Sequence, residues 1–149
     1  MKLISHRGNI KGPIPNKENR PSYIDSAIKL GYEVEVDIRY INGEFYLGHD
    51  TPDYKVSPTW IIMRSENLWF HCKDLESAKE FSNIDNIKYF CHSSDSFVLT
   101  STKHIWVHDL HLNLDKTCII PLLDEESINN YDNKTVYAIC TDHINLLKK

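Results

Sequence analysis

The chain has 149 residues, 41% of them hydrophobic and 26% charged, with a formal net charge of −4, values ordinary for one globular domain. A charge of that sign leaves no electrostatic footprint for nucleic acid or an anionic membrane surface. No apolar run approaches the roughly 18 residues of a membrane span, and Met1-Lys2 leads straight into "LISHRG" without the apolar core of a signal peptide, so a cytoplasmic setting is expected.

Taken in chain order, "KLIS" reads as a strand, and "RPSYIDSAIKLG" reads as a helix. Tyr23, Ile24, Ala27, Ile28 and Leu30 fall at helical spacing, with Pro21 in the first turn and Gly31 as a stop. "EVEVDIRYI" follows as a strand. Its period of two puts Glu33, Glu35 and Asp37 on one face and Val34, Val36 and Ile38 on the other. Asn42-Gly43 suits a type I′ hairpin turn, so "EFYLG" should return antiparallel. "NLWFH", "IKYFCH", "HIWVH", "TCIIPLL" and "TVYAIC" are further strands, rich in branched and aromatic residues. "DLESAKEFSN" and "DEESINNY" are short helices opening on acidic residues. The order strand, helix, strand at the start predicts a parallel α/β unit.

Cys72, Cys91, Cys118 and Cys140 are widely spaced inside apolar runs and form no CxxC pair. They read as buried, reduced thiols that catalysis does not need. Histidines are patterned differently: His6, His49, His71, His92 and His108 each follow an apolar stretch directly. In a parallel sheet the carboxyl ends of the strands gather on one side, so these imidazoles should meet at a common mouth. Two histidines suit general acid–base work near neutrality, and Glu35 with Asp37 suits a hard divalent cation. The planar donor fork of Arg7 suits a phosphate. Together with Lys73, the set predicts phosphoryl transfer.

"ISHRG…KENRPSYIDSAIKLGYEVEVDIRYINGEFYLGHD" resembles the N-terminal signature of the glycerophosphodiester phosphodiesterases, within the phosphatidylinositol-phospholipase-C-like superfamily. That pattern is a His-Arg-Gly, a Pro-Glu-Asn opening a helix, a Glu-x-Asp on the second strand and a His-Asp after the next hairpin. "LWFHCK" is similar to the family's Glu-x-Lys, with His71 in place of the carboxylate, and Thr141-Asp142 resembles the end of its last strand. By position, the resemblance implies His6 and His49 as the acid–base pair, and Glu35 and Asp37 as ligands of one divalent cation (Mg²⁺, Ca²⁺ or Mn²⁺). It also implies Arg7 and Lys73 as phosphate contacts. Glu18 and Asn19 match the substrate-side motif, although Lys17 replaces its proline. His71 stands as a third ligand that favours transition metals, with contact to the phosphate as the other reading and Asp95 or water then completing the metal shell. Glu33 is expected lower on the strand, in packing or a salt bridge.

The implied fold is a TIM-type (β/α) barrel, shortened because such barrels take about 250 residues, with several helices reduced or missing. Apolar strand surface left bare would invite a homodimer. The implied function is metal-dependent cleavage of a small glycerophosphodiester-like phosphodiester. The alternatives are a degenerate barrel that binds phosphate without turnover and a lyase releasing a cyclic phosphate.

Overall fold

The structure, a computed structural model, describes residues 1–132 and 135–148. The strands are β1 (Lys2–His6), β2 (Glu33–Ile41), β3 (Glu44–Leu47), β4 (Tyr54–Val56), β5 (Leu68–Cys72), β6 (Lys88–Phe90), β7 (Phe97–Leu99), β8 (Ile105–Val107), β9 (Cys118–Pro121) and β10 (Ala138–Thr141). Helices α1 (Pro21–Lys29), α2 (Pro58–Arg64), α3 (Leu75–Ser82), α4 (Glu125–Asn129) and α5 (Ile144–Leu147) lie between and after them.

All ten strands join one sheet. Parallel ladders run in the order β6-β5-β2-β1-β10-β9-β8. To these are added β7, antiparallel to β8, and the β3–β4 hairpin, antiparallel to the far half of β2. Asn42 (φ 51°) and Gly43 (φ 81°) make the turn from β2 to β3, both in the positive-φ conformation that a type I′ turn requires.

The sheet curls. Although β6 and β8 stand at opposite ends of the parallel order, the rings of Phe90 and Trp106 stack with centroids 4.2 Å apart. Around them Ile4, Trp69, Ile119, Ala138 and Cys140 fill the concave side. On the convex side Val34, Val36 and Ile38 pack with Ile24 of α1 and Phe81 of α3, as the alternation along β2 requires. A second convex cluster sets Ile120, Leu122 and Ile139 against Ile128 of α4.

This corrects the expected shortened TIM-type barrel. The sheet is mixed, a curled half-barrel, and among the described residues no ladder joins β6 to β7 or β8. Its helices have only nine, seven, eight, five and four residues, and residues 108–117, between β8 and β9, contain none. Length supplies the reason: eight strand–helix units need about 250 residues, and here several crossovers shrink to turns or hairpins. The convex side is covered unevenly as a result. On β7, Phe97 and Leu99 remain 57% and 69% exposed.

Candidate functional site

Three carboxylates stand in a column on the concave face of β2, and each meets different surroundings. Glu33, at the strand's start, accepts hydrogen bonds from Trp69 Nε1 (2.6 Å) and Lys88 Nζ (2.7 Å) and pairs with Lys2. Burial would raise its pKa, but the two lysines bring it below the ordinary value. It closes the lower end of the curl as a salt-bridge centre.

Glu35 and Asp37 are 2% and 0% exposed. Strand register sets their neighbours, placing His6 of β1 beside Glu35 and His71 of β5 beside Asp37. Neither Glu35 Oε2 nor Asp37 Oδ1 accepts a hydrogen bond from the described residues. Buried carboxylate oxygens ordinarily find donors, so this pair is exceptional. Burial first and Asp37 second push the Glu35 carboxyl up. Burial acts the same way on Asp37, but His71, Arg7 and Asn19 outweigh it and hold that carboxyl well below the usual range.

The loop after β1 supplies the cations. Arg7 takes a left-handed conformation (φ 53°) and donates its N–H to Glu35 O at 2.9 Å. Its guanidinium Nε then stands 2.8 Å from Asp37 Oδ2. Such a conformation in a non-glycine residue is strained and concentrates at functional sites. Gly8 follows at φ 96°, and a Cβ there would lie 2.7 Å from Tyr23 Cδ1 of α1, so the close approach of α1 admits only glycine. Asn19, also left-handed, donates Nδ2 to Asp37 Oδ2 and accepts from Asp37 N, both at 2.9 Å. Glu18 accepts from Arg7 Nη1 (3.2 Å) and Asn9 Nδ2 (2.9 Å). Lys73 Nζ lies 3.8 Å from Asp37 Oδ1.

His71 is oriented from behind. Its Nε2 lies 3.2 Å from the carbonyl of His92, an acceptor only, so Nε2 carries the hydrogen. Nδ1 therefore faces the carboxylates, 3.3 Å from Asp37 Oδ1 and 3.7 Å from Glu35 Oε1. Hydrogen bonding of the rear nitrogen to a carbonyl is how metal-ligating histidines are held. One donor atom each from Glu35, Asp37 and His71 lie within 4.8 Å of one another, the one such cluster of three or more among the described residues. Asp95 is not in it; it lines a separate hollow with Lys73 and His92.

His6 is fixed at Nδ1 by Asp142 Oδ1 (2.9 Å), and its Nε2 stands 3.8 Å from Glu35 Oε2. Burial lowers its pKa, but the Asp142 hydrogen bond and the Glu35 charge carry it above the ordinary value. A cavity of about 130 Å³ opens here, lined by His6, Arg7, Glu35, His71 and His108. His49 is not among its lining residues. It belongs to a neighbouring cavity of about 170 Å³ with Arg7, Glu18 and Asn19, its Nδ1 2.7 Å from Asp50 Oδ1. Arg7 lines both cavities, as Glu18 and Asn19 do not.

Three contributors had no assigned role in the sequence reading. Asp142 directly follows buried β10, the same strand-end signal that marks His6. His108 follows β8, stacks on His92 (centroids 3.6 Å) and is brought down to about 4 by burial and then by His92, which leaves it neutral. Asn9 bridges Glu18 and Asp142, and nothing local in the sequence marks it. The thiols also differ from expectation in one case, since Cys91 is exposed while Cys72, Cys118 and Cys140 are buried.

No helix among the described residues is long and apolar enough to cross a membrane. Compared with known proteins, the chain matches no family model, no curated protein and no solved structure.

Proposed function

We propose that this protein is a metal-dependent phosphodiesterase of the glycerophosphodiester phosphodiesterase type, cleaving a small phosphodiester in a cytoplasmic setting. The observation that carries the reading is the pair of buried carboxylate oxygens without donors, Glu35 Oε2 and Asp37 Oδ1, faced by His71 Nδ1. A neutral imidazole nitrogen and a carboxylate oxygen repel unless a proton or a cation lies between them. Two carboxylates and one imidazole fit a divalent cation, with Glu35, Asp37 and His71 as its holders. When bound, such an ion supplies positive charge to the phosphate oxygens.

The chain's own residues supply the rest. Arg7 and Lys73 present donors to the phosphate, and Arg7, with Nε already committed to Asp37, keeps its fork oriented by that contact. Asp142 fixes the His6 ring, so Nε2 is the nitrogen free to exchange a proton with a nucleophile or a leaving oxygen. His49, whose ring is held by Asp50, serves as the complementary acid or base from the cavity beyond Arg7. Glu18 and Asn19 position Arg7 and Asp37 for this work.

Phosphorus NMR of the products from a panel of glycerophosphodiesters, with Mn²⁺ supplied, tests the reading. Appearance of a phosphate monoester supports it. A persistent cyclic phosphate would show a lyase instead, and no product across the panel would leave a phosphate-binding protein.

The identity of the third ligand has its own test. Imidazole favours Mn²⁺ and later transition metals over Ca²⁺, which prefers oxygen. Stripped protein is expected to regain more activity with Mn²⁺ than with Ca²⁺, and His71→Glu to reverse that order. An unchanged ranking in His71→Glu would place His71 on the substrate rather than on the metal.

A further inference from the structure

A thiol pair lies on the other face of the strand that carries His71. Cys72 follows His71 on β5 and points to the convex side, where it joins the buried cluster under α3. The β5–β6 ladder pairs Trp69 with Lys88, Phe70 with Tyr89 and His71 with Phe90. Cys72 ends β5 and Cys91 directly follows β6, so the two thiols come next after the last ladder pair. Both thiols line one hollow, and both are free. Adjacent positions on paired strands have Cα atoms close to the separation that a disulfide spans, about 4.4–6.8 Å. Exposure divides the two roles. Cys72 is 4% exposed, whereas Cys91 is open to solvent at the wall of a hollow of about 360 Å³ that both cysteines share with Lys73, Asp74 and His92.

We propose that Cys91 and Cys72 form a peroxide-oxidisable disulfide site, with Cys91 the thiol that meets the oxidant and Cys72 the one that resolves it. In the first step Cys91 gives up its thiol proton, the thiolate attacks the terminal oxygen of a hydroperoxide and the O–O bond breaks; Cys91 becomes a sulfenic acid, and the departing oxyanion takes up that proton and leaves as an alcohol or water. In the second, Cys72 sulfur attacks the Cys91 sulfur and the S–O bond breaks. The departing hydroxyl takes the Cys72 proton and leaves as water. Two thiols lose two electrons in total and the peroxide gains them. Because Cys72 lies between His71 and Lys73, the new bond ties β5 to the segment after β6 beside the candidate site.

The test treats the folded full-length chain with hydrogen peroxide, blocks remaining thiols with iodoacetamide, and reads the digest by mass spectrometry. A single cross-linked peptide pair joining Cys72 to Cys91 is expected, with Cys118 and Cys140 still reduced. In Cys91→Ser, at an exposed position that tolerates the change, Cys72 is expected to stay reduced at the same peroxide dose. In Cys72→Ser, Cys91 is expected to accumulate as a sulfenic acid captured by a cyclic 1,3-diketone. The proposal is overturned if wild-type Cys91 passes to sulfinic acid while Cys72 stays free, or if Cys72 oxidises as fast in Cys91→Ser as in wild type. The wild-type and Cys91→Ser results decide the matter even if Cys72→Ser, altered in the core, does not fold.

Discussion

Replacement of His6 by alanine is expected to lower turnover of the best phosphodiester substrate by about 10²- to 10⁴-fold, the usual effect of removing a positioned acid or base, with the fold retained. His6 lies at the end of β1 with Nδ1 on Asp142 and Nε2 toward Glu35. Its ring lines the cavity, so its loss should spare the packing of the convex core. His49→Ala is expected to show a comparable loss, although His49 works from the cavity beyond Arg7 and its side chain is 41% exposed. Steady-state kinetics of the two variants, alongside their circular dichroism, checks this. If His49→Ala kept a near-wild-type kcat while His6→Ala did not, the partner of His6 would have to come from its own cavity, where His108 is the remaining imidazole besides His71.

Glu35→Gln and Asp37→Asn are each expected to weaken Mn²⁺ binding and turnover together, whereas Glu33→Gln should leave metal affinity near wild type. All three carboxylates share one face of one strand, yet their partners differ. Glu33 is satisfied by Lys2, Lys88 and Trp69, while Glu35 and Asp37 each keep an oxygen without a donor. Removing the Glu33 charge leaves the largely buried Lys88 ammonium without its anion. Lys88 keeps its bond to the Glu66 carbonyl, so the cost should appear as lost stability on the order of 1 kcal/mol, the difference between a charged and a neutral hydrogen bond. Calorimetric titration with Mn²⁺ and thermal unfolding of the three variants separate the effects. Equal loss of metal affinity in Glu33→Gln would mean that the cation sits lower on β2 than Glu35 and Asp37 place it.

Much of the candidate site was legible because its signals are local. The two-residue period of "EVEVDIRYI" put the three carboxylates on one face, and strand-end positions marked His6, His71 and His108. Helix α2 was also within reach: Ser57-Pro58 is a cap followed by a proline at the first helical position, and Ser57 does accept from Trp60 N. The run "WIIM" that follows lacks the spacing of one apolar face.

By itself, the sequence determined which side chains share a face of each strand and where the hairpin at Asn42-Gly43 turns. These depend on the geometry of a few consecutive residues. Tertiary structure alone decided the rest. Strand register brought His6 beside Glu35 and His71 beside Asp37, and packing placed Cys72 and Cys91 on one hollow. Curling of the sheet brought His108 into the cavity of His6, while the β3–β4 hairpin carried His49 into the next one. The choice of a mixed, curled sheet over a barrel with alternating helices was likewise tertiary, since it depends on how few residues remain to cover each strand. These are contacts between residues up to 136 positions apart, as for His6 and Asp142, and no local period encodes them; they exist only once chain closure has been offset by packing in the shared core.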